Sequence, residues 1–213
     1  MTPMDKDSIE PRVNTETVSG QCMWRMLEVT VDIVVRRLLA SDATTVLIDG
    51  RSGSGKSTLA DQLQRCWPCS VVVRLDDIYP GWDGLAWAGE HIGTELLRPR
   101  AAGRTGRWRQ WDWDTGAPSR WHAVGAGQRL IVEGVGALSA DNRAKADLGI
   151  WVETPDEVRK HRALQRDGDT YRPHWDRWAA QELDFIIRCD PIASADYVVT
   201  EAGGALVWAP GMR

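Results

Sequence analysis

Residues 50–57, Gly50-Arg51-Ser52-Gly53-Ser54-Gly55-Lys56-Ser57, match G-x-x-x-x-G-K-[ST] at every fixed position. A loop of this kind holds a chain of phosphates. Gly53 and Gly55 let the backbone curl until successive N–H groups point at phosphate oxygens. A helix starting at the end of the loop adds its positive N-terminal end. Lys56 is placed to reach the β- and γ-phosphates, and the Ser57 hydroxyl to ligate Mg²⁺. Gly50, Ser52, Ser54 and Thr58 complete the expected cradle. The alternative, a flexible Gly/Ser linker, needs neither a lysine at that spacing nor the apolar run Thr44–Ile48 in front of it. ATP or GTP is therefore the expected ligand.

Two acids fall at the ends of other apolar runs. Asp76 follows Ser70–Leu75 (SVVVRL), and ligand sites in open parallel sheets lie at the carboxyl ends of strands. A carboxylate there could accept a proton from a sugar or alcohol hydroxyl. Asp77 is its neighbour, and an extended chain would turn only one of the two toward a site. Glu133 follows Leu130-Ile131-Val132, the place of a Walker-B acid that holds Mg²⁺ directly or through water. Arg159, Arg162 and Arg166 share one helix face ahead of Asp167-Gly168-Asp169, and Arg172 and Arg177 lie beyond it. That pattern suits a lid with arginines on both arms. Each feature has a plainer reading: Asp76 as a turn cap, Glu133 as a solvated strand end, the arginines as a solvated face.

These residues need a scaffold, and the hydrophobic pattern supplies one. Short apolar runs at 44–48, 70–75, 129–132, 148–152 and 195–200 read as buried strands. Helical periodicity covers 21–40, 57–65, 157–166 and 175–188. The alternation predicts an α/β chain of the three-layer P-loop NTPase class: a parallel sheet of about five strands with helices on both faces. Residues 1–19 read as a tail, and 20–213 as a single domain with a lid over about 159–180, of the kind seen in nucleoside monophosphate kinases. Residues 79–125 show weak periodicity and are expected to be irregular, with short helices.

Composition narrows the function. The chain has 213 residues and a net charge of −4, a poor match to bulk nucleic-acid coating. No apolar run is long enough to cross a bilayer, and Met1–Val18 shows no signal-peptide pattern. A cytoplasmic location is expected. Cys66-Trp67-Pro68-Cys69 lacks a second ligand pair, so plain reduced thiols are expected there. No guanine-reading N-K-x-D segment is present, and the length suits a compact kinase.

The chain resembles the family of uridine kinase and phosphoribulokinase, which includes pantothenate and nicotinamide riboside kinases. The resemblance rests on GRSGSGKST (50–58), LDDIY (75–79), WDW (111–113), LIVEG (130–134) and HRALQRDG (161–168), in that order. It implies ATP and Mg²⁺ as cofactors and a small-molecule hydroxyl as acceptor. By position, Asp76 matches the family's catalytic base, and Ser57, Asp76 and Glu133 its magnesium shell. Arg162 and Arg166 match arginines of the family's lid. Tyr79 and Asp83 fall where relatives contact the acceptor, and Trp111 where uridine kinases place a tyrosine. The chain departs from uridine kinases after this segment: it continues Asp114-Thr115-Gly116-Ala117, and His122 lies too far along to stand for their base-reading histidine.

The span between the two acids holds Trp82, Trp87, Trp108, Trp111, Trp113 and Trp121, interleaved with Arg98, Arg100, Arg104, Arg107 and Arg109. A minority of the indoles is expected to touch ligand and the rest to pack a sub-core. The arginines fit a solvated loop first, an anionic acceptor second and nucleic acid third. Three functions follow: a hydroxyl kinase, a nucleotide kinase with a phosphate acceptor, or a non-catalytic ATP-binding regulator. The partner is a small-molecule acceptor in the first two, and a homo-oligomer remains open. The segment Asp167–Pro173 is expected to move.

Overall fold

The computed structural model describes residues 33–202 and 205–211. The predicted tail, most of the first predicted helix and Cys22 lie outside the described residues. Residues 33–39 are helical (α1) and bury Val34, Val35 and Leu38.

The central sheet has the order β2-β5-β1-β6-β7-β8. Its strands are β1 Thr45–Asp49, β2 Val71–Arg74, β5 Leu130–Glu133, β6 Leu148–Glu153, β7 Tyr197–Ala202 and β8 Ala205–Pro210. All neighbours pair in parallel except β7 and β8, which pair antiparallel. β1 and β5 are buried along their whole length. Alternate residues of a strand face opposite sides, so these strands feed two cores. Leu47, Leu130, Val132 and Trp151 enter one core; Val46, Ile48, Ile131 and Ile150 enter the other. Helix α2 (Lys56–Cys66) covers the second face with Leu59, Ala60 and Leu63. The first face is covered by α3 (Leu85–His91), α6 (Asp156–Tyr171) and α7 (Trp175–Cys189), among others. The five parallel strands are those expected from the apolar runs; β8 is an addition.

The acceptor-side segment differs from expectation. Helix α3 runs on through a π-helical stretch (Ile92–Leu97) into α4 (Arg98–Ala101). A separate antiparallel hairpin follows, β3 (Gly106–Asp112) and β4 (Ala117–Val124), with a register shift between Arg109 and Trp111. The Asp112 carboxylate accepts from the Asp114 and Thr115 N–H groups and fixes the turn, and Gly116 takes the left-handed conformation (φ 63°). Pro118–Trp121 of β4 are exposed on both faces, and clear inside-outside alternation is confined to the first residues of β3.

Between β6 and β7 lie α6, a 3₁₀ turn (Arg172–His174), α7 and the short α8 (Pro191–Ser194). α6 is kinked at Gly168, where the backbone leaves helical geometry at φ 54°, ψ −129°. α5 (Ala140–Arg143) links β5 to β6. No helix among the described residues is long and apolar enough to cross a membrane.

Candidate functional site

The loop between β1 and α2 curls around an open space. Gly53 sits at φ 79° with no room for a side chain: a Cβ there would lie 2.0 Å from the Arg159 carbonyl oxygen. Gly55 precedes α2 in the left-handed conformation, and no side chain caps that helix. Its first N–H groups are thus left for a ligand, and the helix dipole favours an anion. Lys56 is buried, and its Nζ folds back to donate to the Arg51 carbonyl at 3.1 Å.

Asp49, at the end of β1, shapes the floor. It is fully buried and accepts from the N–H groups of Gly50 (2.6 Å), Gly136 (3.1 Å) and Leu138 (2.8 Å). One carboxylate thereby ties the start of the phosphate loop to the chain leaving β5. Burial pushes its pKa up to about 7, against the pull of these N–H donors and of Lys56.

Ser57 and Glu133 meet. The Ser57 hydroxyl donates to Glu133 Oε1 at 2.9 Å, and Arg74 Nε lies 3.4 Å from the same oxygen. Glu133 is buried, and burial raises its pKa while Lys56 opposes the rise. Hydroxyl and carboxylate oxygens are hard donors that suit Mg²⁺, which keeps waters and phosphate oxygens as its other ligands. No group of three or more His, Cys, Asp or Glu comes together as a metal cage among the described residues. Ser57 and Glu133 could hold such an ion together with oxygens supplied by water or a ligand.

These groups line a cleft of about 620 Å³. Its lining joins Ser52, Gly53, Lys56 and Ser57 of the phosphate loop with Glu133 and Asp76. The aromatic side chains of Tyr79, Trp82, Trp113, Tyr171 and Trp178 complete it. Asp76 lies in a 3₁₀ turn (Leu75–Asp77) directly after β2. Asp76 lines the cleft and Asp77 does not, although the turn is not extended as the sequence argument supposed. The turn is pinned by Trp113 Nε1, which donates to the Asp76 carbonyl at 2.8 Å, and by Tyr79, whose hydroxyl donates to the Val135 carbonyl at 2.7 Å. Trp82 stacks on Tyr171 (5.3 Å between ring centres) and on His174 (4.4 Å).

Several expected site residues fall elsewhere. Trp111 lines a separate groove on the other side of the hairpin, and Trp113 takes the place in the cleft. Asp83 forms an ion pair with Arg177 outside the cleft. Of the two lid arginines, Arg166 lines the cleft, paired in a fork with Asp167 (2.8 and 2.7 Å), while Arg162 is exposed on α6 and does not line it. Arg159 is buried rather than lid-borne. His122 stacks on Trp108 within the hairpin, away from the cleft. Gly50, Ser54 and Gly55 of the loop, and Thr58 after it, do not line the cleft. Cys66 and Cys69 are free and exposed.

One constellation went unread in the sequence. Glu182 of α7 is fully buried; it accepts from the Ser52 N–H (2.8 Å) and Arg51 Nε (3.1 Å), with Arg159 Nη1 at 3.5 Å. Asp156 pairs with the same two arginines, at 2.9 and 2.7 Å. The four charges close a ring that joins the phosphate loop, the start of α6 and the middle of α7. Trp178 adds a hydrogen bond to the Ser52 hydroxyl at 3.0 Å. Glu182 lies on α7, 130 positions from Ser52, so no local spacing could reveal it.

Known structures share this arrangement of elements. A possible uridine kinase from Bacillus stearothermophilus superposes with a TM-score of 0.56 at 22% identity, over 81% of this chain and 98% of that one. A candidate fructose transport system kinase from Silicibacter sp. TM1040 gives a TM-score of 0.52 at 21% identity, over 79% and 91% of the two chains. The fold is that of P-loop kinases. No protein-family model matches the chain, and no curated protein matches it either. At these identities the likeness speaks for the fold, and the chemistry rests on the residues.

Proposed function

We propose that the protein is a Mg²⁺- and ATP-dependent phosphotransferase whose acceptor is a hydroxyl of a small molecule. The observation that carries this reading is one cleft lined both by the phosphate loop and by Asp76 with five aromatic side chains. Both structural neighbours are named as kinases, of the uridine and sugar-transport kind.

The roles follow from the chemistry of each group. The loop N–H groups and Lys56 bind the β- and γ-phosphates. Ser57 and Glu133 would hold Mg²⁺, with Asp76 near enough to the same cleft to join its outer water shell. When bound, the ion neutralises phosphate charge and aligns the β- and γ-oxygens. Asp76 takes the proton of the acceptor hydroxyl as that oxygen bonds to the γ-phosphorus and the bond to the ADP oxygen breaks. Arg166 offers positive charge to the transferring group once its fork to Asp167 opens. Tyr79, Trp82 and Trp113 give the acceptor flat apolar walls.

The arginine-rich span speaks against a phosphate acceptor. Arg100 is buried and donates to the carbonyls of Gly125, Gln128 and Thr44. Arg107 pairs with Glu95 at 3.0 Å, and Arg109 donates to the Ser119 carbonyl. None of Arg98, Arg100, Arg104, Arg107 and Arg109 lines the cleft. A nucleotide acceptor would bring its phosphate to a cleft that none of these five arginines lines.

The test is ADP release over a panel of nucleosides, sugars, vitamin-like alcohols and nucleotides. Turnover with an alcohol supports the proposal. Turnover confined to nucleoside monophosphates would mean a phosphate-acceptor kinase, and ATP binding without turnover a regulatory protein.

A further inference from the structure

Behind the acceptor-side turn lies a second hollow, of about 350 Å³. One short segment divides it from the cleft. Asp76 and Tyr79 face the cleft, while Ile78 and Pro80 face the hollow. The hairpin repeats the division: Trp113 goes to the cleft and Trp111 to the hollow.

The walls of the hollow are aromatic and remain wet. Trp87 and His91 stack face to face, 4.5 Å apart and 12° from parallel. Trp121 stands across from them, its ring centre 5.8 Å from that of His91. Trp87 is 47% exposed and Trp121 46%. Two guanidinium groups lie over Trp121, those of Arg107 (4.7 Å) and Arg109 (5.9 Å). Arg107 is neutralised by Glu95. Arg109 spends its Nε on the Ser119 carbonyl and has no carboxylate partner among the described residues.

We propose that this hollow is a second ligand site, for a small molecule with a planar aromatic ring that carries an anionic group. Indole and imidazole faces suit a flat ring, and an arginine held against indole suits a carboxylate or phosphate. The volume lies at the lower end of the range for small-ligand pockets, about 300–1,000 Å³. A docked protein would need a patch of roughly 800 Å² on this partner, far more than the hollow offers. The site stands on its own geometry and needs no phosphotransfer in the cleft.

Indole N–H resonances can locate binding, because tryptophans line both spaces. AMP, CMP, GMP and UMP serve as probes that join a flat ring to an anion, titrated into ¹⁵N-labelled protein. Trp→Phe variants assign the signals. At least one probe is expected to shift the signals of Trp87, Trp111 and Trp121. Arg109→Ala is expected to weaken that binding about tenfold, the worth of a charge-assisted contact, whereas Lys56→Ala leaves it within about threefold. Shifts confined to Trp82 and Trp178, groove shifts indifferent to Arg109→Ala, or no shift at millimolar probe would each overturn the proposal. So would a dimer in light scattering that Trp121→Ser abolishes, since the indoles would then be covered by a second copy. The binding map fails or succeeds whatever the ADP-release panel shows, so the two readings can be separated.

Discussion

At the scale of single residues, Lys56 and Asp76 are central to the proposed chemistry, and each can be tested alone. On the proposed reading Lys56 supplies the fixed counter-charge of the phosphate loop, so Lys56→Ala is expected to abolish transfer and greatly weaken ATP binding in calorimetry; unchanged affinity would sink the loop's role. Asp76→Asn should leave ATP binding within a few-fold and cut turnover about 10²–10⁴-fold, the usual worth of a positioned base. If Asp77→Asn is the dead variant instead, the neighbouring carboxylate is the base. Asp49 makes a different prediction, about stability. Its pKa rises from 3.8 in the unfolded chain to about 7 in the folded one. Between those values the folded state binds the extra proton, so this group's contribution to stability falls as pH rises from about 4 to about 7 and is flat above. Urea unfolding at pH 5 and pH 8 should show wild type losing stability at the higher pH. Asp49→Asn should remove that share of the difference and lose about 1–3 kcal/mol, because the amide has one oxygen and its NH₂ would face backbone N–H donors. An unchanged pH difference in Asp49→Asn would mean that other carboxyls set it.

At the scale of elements, the sequence showed what is local. The phosphate loop, the five parallel strands and the acids at their ends each lie in one continuous stretch, where apolar runs and glycine spacing are visible. The hairpin β3–β4 was missed because only the start of β3 alternates buried (Gly106, Trp108) with exposed (Arg107, Arg109), while Pro118–Trp121 of β4 are all exposed. Trp113 was missed in favour of Trp111 because the register shift after Arg109 and the turn beyond Asp112 decide which indole enters the cleft. The ring of Arg51, Asp156, Arg159 and Glu182 joins three distant segments, and only the fold brings them together. Its removal should be felt between elements. Glu182→Gln leaves two arginines facing one carboxylate and is expected to cost about 3 kcal/mol, as when one partner of a buried pair is lost. Arg51→Met added to it should recover part of that loss, because the orphaned charge goes too. Strict additivity of the two in urea unfolding would show that the ring does not act as a unit.

At the scale of the whole molecule, the question is whether the α6–α7 pair moves. The structure seats it against the acceptor side. Trp82 lies in stacking range of Tyr171 and His174, Gln181 donates to the Trp82 carbonyl at 2.6 Å, and Arg177 pairs with Asp83. The root of the pair is fixed, since Arg159 and Glu182 are buried in the charge ring. Motion is therefore expected at the tip, where Gly168 breaks the α6 geometry at φ 54°, ψ −129° and a Cβ would meet nothing within 4 Å. Gly168→Ala then costs backbone strain alone, about 1–3 kcal/mol, and favours arrangements in which the tip is no longer turned over the cleft. A lid that closes only when both substrates are present keeps water from the γ-phosphate. Wild type should accordingly hydrolyse ATP slowly without acceptor, and amides of Asp167–Pro173 should gain protection in hydrogen exchange with an ATP analogue plus acceptor. Gly168→Ala should lose that gain and show a larger share of hydrolysis relative to transfer. Full protection of the segment in the free protein would make it a fixed helix pair, and Arg166 would then be a permanent wall of the cleft with its fork to Asp167 intact.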